Sequence, residues 1–234
     1  MLRKLLALIL IFNLTACAEL QQVINQLPQG NVLSNADIAS GLRQVLDFGI
    51  DKQVNKLTAK DGFFRNELVK ILLPAELQKI DKTLRDIGLG KLADEGLKIL
   101  NRAAEDAVKE ATPIFINAVK EITFTDAKNI LLGNTDAATQ YLTQKTQTAL
   151  YDKFHPVINN SFAKVGADQI WENLIHKYNN LPFTKDVNPD LTSYVTEQAL
   201  KGVYTMIAVE EKEIRTKLSS RTTDLLKKVF ALQD

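Results

Sequence analysis

Few residues in this chain have the types and spacing that chemistry needs. Its two histidines, His155 and His176, stand far apart, and neither has a second histidine at metal-ligand spacing within its own predicted helix. That argues against a metal site. His155 precedes Pro156 and is expected in the turn before a helix, and His176 is expected as a partly buried polar residue beside Trp171 and Tyr178. The carboxylate pairs Asp94-Glu95, Glu105-Asp106 and Glu210-Glu211 occupy adjacent positions. On a helix such neighbours point about 100° apart and do not face one substrate as acid and base. They read as solvated faces, and Lys212, Arg215 and Lys217, interleaved with Glu210, Glu211 and Glu213, read as surface charge patterning. Gly88-Leu89-Gly90 stops after two glycines, and HExxH, GxxxxGK and GxSxG are all absent. No catalytic residue, cofactor or metal is expected. Trp171, Tyr178, Phe183 and Tyr194 are the one set that could line an apolar ligand pocket, with a core cluster as the simpler reading.

One residue does carry a modification signal. Arg3 and Lys4 form a short basic region, Leu5 to Leu14 is an apolar run broken only by Asn13, and Leu14-Thr15-Ala16-Cys17 follows. A membrane-spanning helix needs about 20 apolar residues, so this run is a cleaved secretion signal and not a span. Leu-Thr-Ala-Cys resembles the bacterial lipobox, in which the cysteine accepts a diacylglycerol thioether and becomes the new N-terminus. Cys17 is the only cysteine, so the chain forms no internal disulfide and no thiolate metal site. With Ala18, not aspartate, after it, the expected address is the outer membrane, with the domain facing the periplasm. Residues 1–16 are thus expected as the signal, 17–33 as a lipid-anchored tether containing Pro28 and Gly30, and 34–234 as the domain. Residues 18–33 reach at most about 55 Å when fully extended.

The elements that must position everything else are helical. From Ser34, with Asp37 three later as in a capping box, Ile38, Leu42, Val45, Leu46, Gly49 and Ile50 recur at threes and fours. Gly41 and Gly49 inside this helix imply a neighbour packed closely against it. Pro74 suits the start of a helix through Leu77 and Leu84 closed by Gly88 and Gly90; a second starts at Leu92; and Thr112-Pro113 looks like a cap and first turn. Gly133 and Gly166 read as helix ends, and Asn188-Pro189 opens the longest helix, whose buried face is Leu191, Val195, Ala199, Val203, Met206, Ile207 and Ile214. A last helix runs from about Thr222 to Phe230. The only extended candidate is Leu68 to Leu73, as a buried loop or a short strand. The fold class is all-α: a single multi-helix, bundle-like domain of about eight to ten helices behind the cleaved signal. With 45% hydrophobic and 24% charged residues and a net charge of +1, the chain has the balance of a globular domain and lacks the clustered basic face of a nucleic-acid binder.

From Asp61-Gly62-Phe63 onward the chain also resembles a bacterial family known as domain of unknown function 4197. The stretches that carry the resemblance include Asn101-Arg102-Ala103-Ala104, Pro113-Ile114-Phe115, Asp136-Ala137-Ala138-Thr139, Leu181-Pro182-Phe183, Asn188-Pro189-Asp190-Leu191 and Arg221-Thr222-Thr223-Asp224. The chain departs from the family pattern at Glu67 and Leu72, where proline is common, so the path before Pro74 is expected to differ. The resemblance implies a single secreted helical domain and brings no activity. The expected function is a non-enzymatic envelope module, held to the membrane through Cys17, that binds another envelope protein or has a structural role. The alternative is a carrier of a hydrophobic ligand or lipid.

Overall fold

The computed structural model describes residues 34–78, 82, 85–86, 90–166, 190–221 and 223–231. The chain divides into two compact units, Met1–Asp37 and Ile38–Asp234. Among the described residues there are seven α-helices and no strand: α1 (Asn35–Thr58), α2 (Gly90–Val108), α3 (Ala111–Lys120), α4 (Phe124–Leu132), α5 (Ala137–Val165), α6 (Leu191–Thr216) and α7 (Asp224–Phe230). The all-α class stands, and the described residues hold seven of the eight to ten helices expected for the whole domain. The helices expected around Leu84 and Trp171 fall largely outside the described residues.

One difference has a clear physical cause. A break was expected at His155-Pro156, yet α5 passes through both as a single 29-residue helix and is longer than the 26-residue α6. Proline inside a helix removes one amide donor and crowds the preceding turn. Pro156 and Asp152, whose carbonyl loses its donor, are both exposed, so water can take that carbonyl. Leu142, Thr146, Leu150, Phe154, Ile158 and Phe162 meanwhile form an unbroken buried stripe at every fourth position. Burial of that stripe outweighs the local penalty.

The helix starts show which sequence signals were sufficient. At α1 the Ser34 amide and hydroxyl donate to the Asp37 carboxylate at 2.9 and 2.7 Å, and the Asp37 amide donates back to Ser34 Oγ at 3.1 Å. The expected capping box is therefore formed. Thr112 is not a cap: α3 begins at Ala111, and Pro113 sits in its first turn, where a missing N–H costs nothing. α4 has a capping box that the sequence reading passed over, Thr123 with Asp126. Hydrogen bonds from the Thr123 hydroxyl and amide hold the Asp126 carboxyl below the usual carboxylate range. A depressed folded value stabilises the protein above the unfolded value, and that contribution is lost as pH falls through the folded one. Thr123→Ala is expected to lower Tm by roughly 2–4 °C at neutral pH and to flatten the acid limb of a Tm-against-pH curve.

α5 forms the centre, packed against α2, α3, α4 and α6, with α6 also against α2. All seven positions predicted for the buried face of α6 are buried. The close approach implied by Gly49 is to Glu210 of α6, whose Cγ would lie 3.3 Å from a Cβ at that position.

Between α1 and the short 3₁₀ turn Ala75–Leu77 runs a loop that is neither helix nor strand. Val69, Ile71 and Leu73 point inward, and Leu68 and Leu72 outward. The backbone partner that a strand neighbour would have supplied is a side chain: the Ile71 amide donates to Asn101 Oδ1 at 2.8 Å, and Asn101 Nδ2 donates to the Ile71 carbonyl at 2.9 Å. Asn101 is fully buried. Asn101→Leu fills similar volume but strips both bonds, and is expected to cost about 1–3 kcal/mol. Hydrogen exchange at the Ile71 amide, accelerated ahead of the neighbouring helices, would locate the loss in this loop.

Candidate functional site

On α2, residues 95, 98, 99, 102 and 106 recur at threes and fours and so share one face. That face and the C-terminal end of α5 border an open cleft of about 350 Å³, with Glu95, Lys98, Arg102, Asp106 and Lys164 around it, Ser161 beside them, and Ile99 and Val165 as apolar lining. Most of its charges are already engaged. Lys98 pairs with Glu95 at 2.9 Å, and Lys109 with Asp106 at 2.7 Å. The Arg102 guanidinium bridges Asp61 and Glu105, each at 2.7 Å. The two acids of the cleft, Glu95 and Asp106, are three helical turns apart, about 16 Å along the axis, beyond the separation at which two carboxylates act on one bond. The cleft has the mixed polarity of a recognition surface.

Asp94-Glu95 is the solvated face expected of it, and the other two carboxylate pairs are not. Glu105, Glu210 and Glu211 are buried, the Arg215 side chain is only 6% exposed, and Asp94, Glu95 and Asp106 retain substantial exposure. Their partners explain why burial is tolerated. Glu211 accepts the Ala138 and Thr139 amides at 2.9 Å and the Thr139 hydroxyl at 2.9 Å, capping the start of α5 where the Asp136 side chain makes no cap. Arg215, paired with Glu211 at 2.7 Å, donates to the carbonyls of Ile130 at 2.7 Å and Leu131 at 3.3 Å, closing the end of α4. Glu105 accepts the Phe63 amide at 3.2 Å. Glu210 accepts from Lys52 at 2.7 Å and Gln53 at 2.6 Å, tying α6 to α1. These groups complete helix ends and fix a loop.

His155 lies within α5, not in a turn. Its Nε2 is 3.4 Å from Ser193 Oγ, and Tyr151 donates to that oxygen at 3.2 Å. The Ser193 hydroxyl donates to Asp190 at 2.6 Å. The serine proton therefore points at the carboxylate and away from the imidazole, the reverse of what a serine nucleophile needs. Burial pushes the Asp190 carboxyl up, but hydrogen bonds from Ser193 and the nearby His155 outweigh it and leave it below the usual range. The arrangement reads as a helix cap braced by two rings.

Of the four aromatic residues proposed for a pocket, Trp171, Tyr178 and Phe183 lie outside the described residues, as do His176 and Cys17. Tyr194 is half-buried and donates to the Leu72 carbonyl at 2.9 Å, so it braces the loop before Pro74. An apolar cavity between α1, α6 and α7, lined by Leu46, Ile50, Ile207 and Phe230 among others, has room for about 20 Å³, the space of a single water. Among the described residues no cluster of histidine, cysteine or acidic side chains is arranged to hold a metal, and no helix is long and apolar enough to cross a membrane.

The sequence profile of a family described as "Protein of unknown function (DUF4197)" matches residues 32–231. No curated protein and no solved structure matches the chain.

Proposed function

From the premise that the chain belongs to the DUF4197 family, we propose that it is a lipid-anchored module of the bacterial envelope, held to the outer membrane through Cys17 and acting in the periplasm by binding another protein or by a structural role. The observation that carries the interaction reading is the α2–α5 cleft, with both signs of charge around an apolar strip and its Arg102 already fixed in place by Asp61 and Glu105. A side chain held before binding loses less freedom on binding. The anchor reading is supported by the signal and lipobox, which end at the chain's one cysteine.

The test is a photo-crosslinking residue at Val165 in the full-length protein in cells. One discrete adduct that disappears when Lys164 is reversed to glutamate is expected. A ladder of weak adducts insensitive to that change would count against a specific partner. The carrier reading needs several hundred Å³ of apolar space. It would displace the first reading if native mass spectrometry of the purified protein showed an extra mass that vanished on denaturation.

A further inference from the structure

The loop from Ala59 to Pro74 is long for a segment with neither helix nor strand in a compact domain, and such loops usually have a role. This one is held from beneath at four points. The Phe63 amide donates to Glu105, both backbone groups of Ile71 bond Asn101, the Leu72 carbonyl accepts from Tyr194, and the Phe63 ring packs on Gly202 of α6. Exposure of its outward residues is therefore built in. Leu68 is 64% exposed and Leu72 52%, and Lys70 lies between them with its ammonium over the Phe64 ring. Among the described residues, the other large exposed apolar side chains, Phe48, Leu132, Val165 and Leu218, are dispersed along the sequence.

We propose that this loop is a second, weak membrane contact that places Leu68 and Leu72 at the headgroup–acyl boundary of the leaflet holding the Cys17 anchor; the proposal rests on the anchor reading. Leucines at a tip with cations beside them match the layering of that boundary, where the apolar groups sink and the ammonium or guanidinium stays among the phosphates. Lys60, Arg65 and Lys70 supply the cations, and Glu67 is the one acid not already engaged, since Asp61 is taken by Arg102 and Arg65. Two leucines are too few to hold a free domain. A tethered domain meets its own bilayer at an effective concentration on the order of millimolar, at which a weak contact is occupied. The reach is sufficient: α1, which ends at this loop, is about 36 Å long, less than the roughly 55 Å span of an extended tether.

Because acylation consumes the Cys17 thiol, Leu68→Cys in the full-length protein provides a single free thiol for an environment-sensitive dye. The labelled lipoprotein would be reconstituted in phosphatidylethanolamine–phosphatidylglycerol vesicles, with a dye at Leu218→Cys as the exposed control. Quenching by bromine on the acyl chains is expected to be at least about two-fold stronger at position 68 than at 218, and to fall to the control level when Leu72→Asp is added. An acylated, vesicle-bound protein whose position-68 dye behaves as in water would overturn the loop contact and leave the anchor standing. Protection of that dye in cells but not in vesicles would also overturn it, in favour of a protein partner. An intact mass without acyl groups would remove the anchor and the loop contact together.

Discussion

Replacing Arg215 with alanine is expected to destabilise the fold by about 3–5 kcal/mol, read as a lower urea midpoint at unchanged slope. The side chains of Arg215 and Glu211 are only 6% and 5% exposed. Removing the cation leaves the Glu211 carboxylate buried without its counter-charge, and takes the guanidinium donor away from the Ile130 and Leu131 carbonyls at the end of α4. One side chain thus serves three acceptors on two helices. Desolvation of the surviving partner, more than the lost attraction, sets the size of the effect. The double change Arg215→Met with Glu211→Gln tests that account: the glutamine oxygen can still accept the Ala138 and Thr139 amides, and no charge is stranded. It is expected to be less destabilising than Arg215→Ala alone. A double variant as costly as the sum of its single changes would show that the two side chains act independently, with no stranded charge behind the cost of Arg215→Ala.

Why the sequence did not disclose this pair bears on what is legible in a helical chain. Periodicity within one helix was enough to place the buried face of α6, the capping box at Ser34 and Asp37, and the helix ends at Gly133 and Gly166. Each of these is decided within a few residues. Glu210-Glu211 looks the same in sequence whether its helix meets water or the bare amides of another helix, and those amides belong to residues more than seventy positions away. Asn101 is similar, an unremarkable polar residue until Ile71 lies across it. Two misses were avoidable. Thr123 with Asp126 carries the capping-box pattern in full, and the stripe from Leu142 to Phe162 continues at fours straight through Pro156. For the aromatic pocket only Tyr194 lies within the described residues, and its bond to Leu72 spans 122 positions, beyond any pattern that local spacing could reveal.

The second large effect is expected where the loop meets α6. The Phe63 ring is fully buried, and a Cβ on Gly202 would come within 2.6 Å of its Cε1 and 3.4 Å of Val69 Cβ. Phe63→Ala removes the ring and is expected to cost about 3–5 kcal/mol. Gly202→Ala forces the ring off its seat at about 1–3 kcal/mol, offset in part by roughly 1 kcal/mol of improved helix propensity. If the glycine exists to admit the ring, the two sites must be coupled. Phe63→Leu with Gly202→Ala is then expected to cost less than the sum of its parts, because the shorter side chain vacates the space that the new methyl takes. Gly62 provides the contrast, since a Cβ there would collide with the carbonyl oxygens of Leu57 and Lys56. Backbone at the end of α1 cannot withdraw as a side chain can, so Gly62→Ala should destabilise with no rescue from Phe63→Leu. Strict additivity between positions 63 and 202 would mean that the ring has another place to go, and that the loop is held by its hydrogen bonds to Glu105, Asn101 and Tyr194 instead of by this notch.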